Sequence, residues 1–282
     1  MLINQTKEII KKYQFHHKKL LGQNFLINQH ILHQIIIESK INKNTNVVEI
    51  GTGLGTLTEA LAQNAKKVIS FEVDLSLKKI IEENLAQYKN VAIYYQDFLK
   101  VDLANLLSTN FLDEDVVVVA NLPYYITSPI IFKILEETQI KKALIMIQKE
   151  VAKRLTGKPK TKDYNALSVY MEYKTKAKIV GNVSKNSFYP APDVDSALLY
   201  FERIQHDYRA NNEFKFLKFI RDIFSMRRKT LVNNIEDTYR LTKQQIEQIL
   251  DDLGFLRNVR SEELSLIDII KIYQKIEDEN DY

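Results

Sequence analysis

The sequence predicts an α/β fold, a mostly parallel sheet with helices on both faces, followed by a small all-α C-terminal domain. Three observations predict it. Short apolar runs alternate with amphipathic stretches from residue 46 onward, the pattern of strands joined by crossover helices. The first run opens directly into a glycine-rich turn. After residue 203 the strand signals stop and only helical periodicity remains.

Taken in order, residues 1–30 read as a basic arm and residues 30–39 as a helix. Four strand-length runs follow, at 47–50, 68–73, 91–95 and 116–120, separated by helical stretches at 56–64, 75–88 and around Leu103. Residues 128–137 read as a helix, 143–148 as a fifth strand and 164–173 as another helix. Residues 178–183 and 196–202 then read as two strands joined by a loop containing Pro190 and Pro192. A late antiparallel pair commonly closes an otherwise parallel sheet. Helices are predicted at 214–234, 242–253 and 261–275, the last with Glu262 and Glu263 in its first turn. A boundary near 204–212 divides the chain into domains 1–205 and 206–282.

Composition narrows the function classes. With 282 residues, 45% of them hydrophobic, a sizeable core can form, and no apolar run reaches membrane-spanning length. The absence of cysteine removes disulfides, zinc-thiolate sites and cysteine nucleophiles together. No metal site is expected. The N-terminus lacks the apolar core of a secretory signal, so the expected location is the cytoplasm. Net charge is only +4 but unevenly spread. Residues 141–162 carry eight Lys/Arg against one acid, Glu150, and residues 1–20 carry five lysines against one glutamate. A third cluster, Arg227-Arg228-Lys229, lies in a helical pattern. Such patches suit a polyanionic partner; each alone is equally a solvated helix face.

The segment Glu49-Ile50-Gly51-Thr52-Gly53-Leu54-Gly55 is a strand end followed by a glycine turn into a helix. Its spacing is G-x-G-x-G, and Thr56 breaks the dinucleotide pattern G-x-G-x-x-G. Glu72 lies 21 residues after Gly51, at the end of the second strand, where a carboxylate can accept hydrogen bonds from ribose hydroxyls. Asp97 ends the third strand, where it can take an adenine amine with Phe98 packed against the ring. The alternatives are a surface charge for Glu72 and a helix or turn cap for Asp97.

Asn121-Leu122-Pro123-Tyr124 follows the fourth strand. An Asn side-chain oxygen and a backbone carbonyl can each accept a hydrogen bond from a planar amine, turning the nitrogen lone pair toward a methyl donor. Proline removes a competing donor, and Tyr124 can stack on a base for roughly 1–3 kcal/mol. Methyl transfer from a sulfonium is an in-line displacement that needs positioning more than a strong base. The cofactor expected on this reading is S-adenosyl-L-methionine.

Taken together, these segments resemble the ribosomal RNA adenine dimethyltransferase family, in its bacterial small-subunit branch. Further matching pieces are 21–26, 188–197 and 224–231, so the resemblance spans nearly the whole chain in family order. It implies a Rossmann-like class I methyltransferase sheet and S-adenosyl-L-methionine as cofactor. The implied reaction places two methyls on each of two adjacent adenosines, in a hairpin near the 3′ end of 16S rRNA in the small ribosomal subunit. It further implies that Asn24 and Leu26 touch the cofactor beside Gly51, Gly53, Glu72, Asp97, Phe98 and Asn121, and that the helical domain grips the subunit. From the residues alone, Gly22-Gln23-Asn24 reads as a helix-initiating turn. Lys18, Lys19, Lys153, Arg154, Arg227, Arg228 and Lys229 are the expected RNA contacts, on a monomer.

Tyr125 departs from many bacterial members, which carry Asn there. Gly22, Leu122 and the run 193–197 separate the chain from the large-subunit methyltransferases of macrolide resistance. Those usually have Ser before Gln-Asn-Phe and Ile at the position of Leu122. A non-catalytic nucleic-acid-binding factor on the same fold would not need the intact glycine loop, Glu72, Asp97 and Asn121. A DNA adenine methyltransferase would generally begin its motif with Asp.

Overall fold

A computed structural model of the chain describes residues 2–280 except His16, Lys19, Leu20, Asp113, Asp237, Arg240 and residues 206–208. The chain forms two compact units, Met1–Ala152 with Lys178–Arg203, and Lys153–Ala177 with Ile204–Tyr282. The second therefore takes in residues 153–177 as well as the C-terminal helices. Tyr164, Val169 and Tyr173 of that segment pack into the helical core, and the buried Tyr164 hydroxyl donates to the Leu264 carbonyl at 2.9 Å. Of the expected linker 204–212, His206 and Asp207 lie outside the described residues.

In the first unit the strands are β1 (Phe25–Leu26), β2 (Asn46–Ile50), β3 (Lys67–Phe71), β4 (Val91–Tyr94), β5 (Val116–Asn121), β6 (Ile140–Gln148), β7 (Thr175–Val183, which begins in the second unit), β8 (Phe188–Tyr189) and β9 (Ser196–Arg203). Seven of them form one sheet in the order β4-β3-β2-β5-β6-β9-β7. The β2–β3, β3–β4, β2–β5 and β5–β6 pairs are parallel, whereas β9 runs antiparallel to β6. The central strand β5 is apolar on both faces, as suits burial between two helical layers: Val116, Val117, Val118, Val119 and Ala120 are all buried. The separate β1–β8 ribbon pairs Phe25 with Tyr189 and Leu26 with Phe188.

The helices of this unit include α1 (Leu2–Lys12), α2 (Gln29–Ser39), α3 (Thr56–Asn64), α4 (Lys78–Leu85), α5 (Leu103–Phe111) and α6 (Thr127–Glu136). The expected stretch 75–88 divides into a short turn at Leu75–Leu77 and α4. Two helices escaped the sequence reading. The basic arm contains α1, whose Ile9 and Ile10 pack with Phe15 against Ile80 and Ile81 of α4; its lysines mask that apolar stripe. The seven-residue α7 (Lys149–Leu155) follows β6 without a break.

The second unit holds α8 (Ala166–Lys174), α9 (Glu213–Ile223), α10 (Leu231–Glu236), α11 (Lys243–Asp252) and α12 (Leu266–Asn280). Phe216, Phe219, Ile220 and Ile223 form the buried stripe of α9. The continuous helix expected at 214–234 is interrupted, because side chains take over the terminal carbonyls of α9. Ser261 Oγ and Asn234 Nδ2 both donate to the Ile223 carbonyl, at 2.5 and 2.8 Å. Arg227-Arg228-Lys229 therefore occupy a turn, not a helix. Likewise the start expected at Ser261 is a short turn, and α12 begins at Leu266. Its cap is Ser265, whose Oγ accepts from Asp268 N–H while Asp268 accepts from Ser265 N–H.

Candidate active site

Strand order reverses between β2 and β5, and ligands in such sheets bind beyond the carboxyl ends of the strands at that point. A cavity of about 210 Å³ opens there. The structure brings Asn24, Leu26, Gly51, Gly53, Glu72, Asp97 and Phe98 to its wall, together with Asn121, Leu122, Pro123 and Tyr124.

The glycine loop leaves β2 with φ of +86° at Gly51 and +58° at Gly53, a region costly to side-chain-bearing residues. A Cβ on Gly53 would stand 3.3 Å from the Phe25 ring, and one on Gly51 3.5 Å from the Asn121 carbonyl oxygen. Three N–H groups at the start of the loop are already engaged. Gly51 and Thr52 donate to the Phe71 carbonyl at 2.9 and 3.1 Å, and Gly53 donates to Glu72 Oε2 at 2.8 Å. What the glycines offer is close backbone approach.

Glu72, just past β3, is buried. Its Oε1 accepts from the Asp74 N–H at 2.8 Å. Each carboxylate oxygen thus takes one backbone donor and keeps acceptor capacity for another. Burial pushes this carboxyl above its ordinary pKa, against the pull of the Asp74 and Gly53 N–H groups. Glu49, deeper in β2, is fully buried; burial outweighs hydrogen bonds from Thr58 and Ser70 and pushes its carboxyl up to about 8.

Asp97 is a turn cap that also stands on the wall of the cleft. Its Oδ1 accepts from Leu99 N–H at 3.0 Å, capping the turn Phe98–Lys100, and its side chain also lines the cleft. Phe98 packs edge-on against Phe71 with ring centroids 5.3 Å apart. From α6, Lys133 Nζ lies 5.5 Å from the Phe98 centroid and donates to the carbonyls of Leu99 and Val101 at 2.9 and 2.5 Å. Burial lowers the pKa of that ammonium.

Asn121 ends β5, and its Nδ2 donates to the Asn24 carbonyl at 3.1 Å. This bond assigns the amide orientation and leaves Oδ1 as an acceptor. The Leu122 N–H extends the ladder to the Met146 carbonyl at 3.1 Å. The Pro123 carbonyl is taken by Ile126 N–H and Thr127 Oγ1, at 3.3 and 3.1 Å, whereas the Leu122 carbonyl receives no hydrogen bond from the described residues. Tyr124 is half-buried; its hydroxyl meets the buried Ser196 Oγ at 2.6 Å, which fixes the ring, and burial raises the phenol pKa.

Gly22-Gln23-Asn24 does not start a helix. Asn28 caps α2 instead, its Oδ1 accepting from His30 and Ile31 N–H at 3.0 and 3.3 Å. The preceding residues run into β1 and carry Asn24 and Leu26 to the cleft.

Comparison with known proteins gives the family of the chain. The family model of ribosomal RNA adenine dimethylase matches residues 14–278. The chain belongs to that family. This dimethylase sequence is 44% identical over 274 residues to the ribosomal RNA small subunit methyltransferase A of Bacillus pumilus, covering 95% of this chain and 94% of the relative. A dimethyladenosine transferase from Plasmodium falciparum superposes with a TM-score of 0.77 at 28% identity, covering 90% of this chain and 98% of that one. The 23S rRNA methyltransferase ErmE shares the fold, with a TM-score of 0.71 at 24% identity over 90% of this chain and all of its own. The sheet is thus the class I methyltransferase sheet.

Lys18 and Arg227, two of the expected RNA contacts, have internal partners. Lys18 is paired with Asp74 at 2.6 Å. Arg227 is paired with Glu262 at 2.8 Å and reaches the Thr161 carbonyl at 3.4 Å. Lys153, Arg154 and Arg228 are exposed and Lys229 half-exposed; Lys19 lies outside the described residues. Sequence reasoning missed Glu49, Asp74, Lys133 and Ser196. Two carried a signal: Glu49 is a lone carboxylate inside an apolar strand, and Asp74-Leu75-Ser76 has the spacing of a side-chain-capped turn.

Proposed function

We propose that this chain uses S-adenosyl-L-methionine to dimethylate the N6 amines of two adjacent adenosines in the 3′-terminal hairpin of 16S rRNA, a step of small-subunit biogenesis. The observation that carries this reading is the orientation of Asn121. Its amide nitrogen is held by the arm, which leaves its oxygen as an acceptor, and Asn121 and Leu122 both line the cleft. Two acceptors at one strand end match the two N–H bonds of a planar exocyclic amine and repel a ring nitrogen acceptor.

The residues present fit the cofactor. The glycine backbone forms a cradle that a Cβ on Gly53 would crowd, and the buried Glu72 carboxylate faces the same cavity with spare acceptor capacity. S-adenosyl-L-methionine, when bound, supplies an electrophilic methyl. Gly51, Gly53, Asn24 and Leu26 would form its bed, Glu72 would accept from its ribose, and Asp97 with Phe98 would hold its adenine. Asn121 and Leu122 align the target amine, Pro123 fixes the carbonyl direction, and Tyr124, anchored on Ser196, stacks on the target base. The name of the Bacillus pumilus relative supports the small subunit as the source of that base. The exposed cations Lys153, Arg154 and Arg228 are the contacts assigned to RNA phosphates, with Lys229.

The test supplies methyl-labelled S-adenosyl-L-methionine with unmethylated small subunits, large subunits and duplex DNA in parallel, then maps the label. Label on adjacent adenosines near the 3′ end of small-subunit RNA is expected. Label in the large subunit alone overturns the proposal.

A further inference from the structure

The arm reaches the cleft through a set of hydrogen bonds centred on one buried carboxylate. Asp74, just past Glu72, is 2% exposed. Its Oδ1 accepts from Lys18 Nζ at 2.6 Å and from Ser76 Oγ and N–H at 2.6 and 3.0 Å. Its Oδ2 accepts from Gln23 Nε2 at 2.7 Å. The Gln23 amide is fixed at its other end, where Oε1 accepts from the Lys18 N–H at 2.9 Å. Next in the chain is Asn24, whose carbonyl receives the Asn121 amide. On the opposite side the Asp74 N–H is bound to Glu72. A continuous path of bonds therefore runs from the carboxylate assigned to the cofactor ribose to the amide assigned to the target amine.

We propose that Asp74 is a positioning residue for methyl transfer. By clamping Gln23 and Lys18 it places the Asn24 carbonyl, and that carbonyl holds the Asn121 amide with its oxygen toward the substrate. The inference rests on the role proposed above for Asn121. Three features favour a clamp over an ordinary surface ion pair. The carboxylate is buried, four hydrogen bonds from two segments converge on it, and among the described residues of the arm the two-residue ribbon β1–β8 is the strand pairing nearby. Without the clamp, an amide free to flip presents a donor to the substrate amine in half of its orientations. Burial opposes the Asp74 charge, but the bonds from Lys18, Ser76 and Gln23 prevail and lower its pKa. The clamp is therefore fully charged at neutral pH.

Asp74→Asn keeps size and the backbone bond to Glu72 while losing the charge and one acceptor. The full-length variant is expected to bind S-adenosyl-L-methionine as wild type does in calorimetry. Its kcat on small subunits should fall by about 10- to 100-fold, the scale of a misplaced aligning group. Gln23→Ala should reproduce the loss in kcat, and the double variant should fall no further than the single ones, because both act through one path. The side-chain amide signal of Asn121, read in the free protein labelled with 15N-asparagine, should shift in both variants. An unchanged kcat, additive losses, or an unshifted Asn121 signal overturns the clamp. Equal losses of cofactor affinity and kcat, with a lowered melting temperature, reduce Asp74 to a structural residue and overturn it too. Because the amide signal needs no RNA, failure of the clamp is distinguishable from failure of the proposed substrate.

Discussion

Two kinds of chain build the cleft, and they differ in what holds them. The strand-end side, comprising Gly51, Glu72, Asp97 and Asn121, is placed by the parallel ladder β4-β3-β2-β5. Each of these residues ends or follows a strand of that ladder; β2, β3 and β5 are buried, and β4 at the sheet edge is half-buried. The arm side, comprising Gln23, Asn24, Phe25 and Leu26, reaches the same cavity through a two-residue ribbon, the buried side chains of Phe15, Phe25 and Leu26, and a few polar bonds. Topology alone positions the first side. Tertiary contacts position the second, so changes there should loosen geometry without unfolding the sheet.

The strongest break in this comparison is Asn121→Ala, at a residue that ends β5 and is bonded to the arm. Cofactor binding should persist, since Glu72 and the glycine loop are untouched. Turnover should fall by about 10²- to 10³-fold, as when one aligned hydrogen-bonding group is removed from an active site. Rapid-quench transfer measurements alongside calorimetry check this. Normal turnover with weakened cofactor binding would make Asn121 a cofactor ligand alone.

The same contrast explains what the sequence disclosed. The strands at 47–50, 68–73, 91–95 and 116–120 were legible because short, mostly apolar runs alternate with helical stretches, and the candidate residues lie at or just past the ends of those runs. Asn24 and Leu26 were reachable only by resemblance, since no periodicity marks a two-residue ribbon whose partner, Phe188–Tyr189, is more than 160 positions away. α1 was hidden for a related reason: its apolar stripe is short and interleaved with Lys7, Lys11 and Lys12. The break after α9 was invisible because the groups that terminate it, Asn234 and Ser261, come from later in the chain.

A smaller effect is expected where the two sides touch. Gly53→Ala adds a methyl at φ +58° and 3.3 Å from the Phe25 ring. The left-handed backbone alone costs roughly 1–2 kcal/mol, and the ring must give way as well. Cofactor affinity should therefore drop while kcat at saturating cofactor falls less. Pairing it with Phe25→Leu should recover part of the affinity. If Gly53→Ala binds as wild type does, the contact between loop and arm is slack, and the contrast between the two sides loses its meeting point.

The smallest effect on turnover belongs to Glu49→Gln, a probe of the strand-end side alone. Glu49 Oε2 accepts from Thr58 and Ser70 hydroxyls at 2.6 and 2.7 Å, while Oε1 has no partner among the described residues. Burial raises this carboxyl from 4.5 to about 8, so the folded protein keeps a proton that the unfolded chain has already released. The native state thus binds more protons through that window, and stability falls as pH rises from about 4.5 toward about 8, levelling above it. Glutamine is neutral throughout and nearly the same shape. Glu49→Gln should leave neutral-pH turnover little changed yet flatten the decline of the melting temperature across that range. The gain over wild type should therefore be larger at the alkaline end than at the acid end. Parallel melting curves for wild type and variant would show otherwise if Glu49 were ionised in the fold, and the glycine loop would then rest on a buried charge.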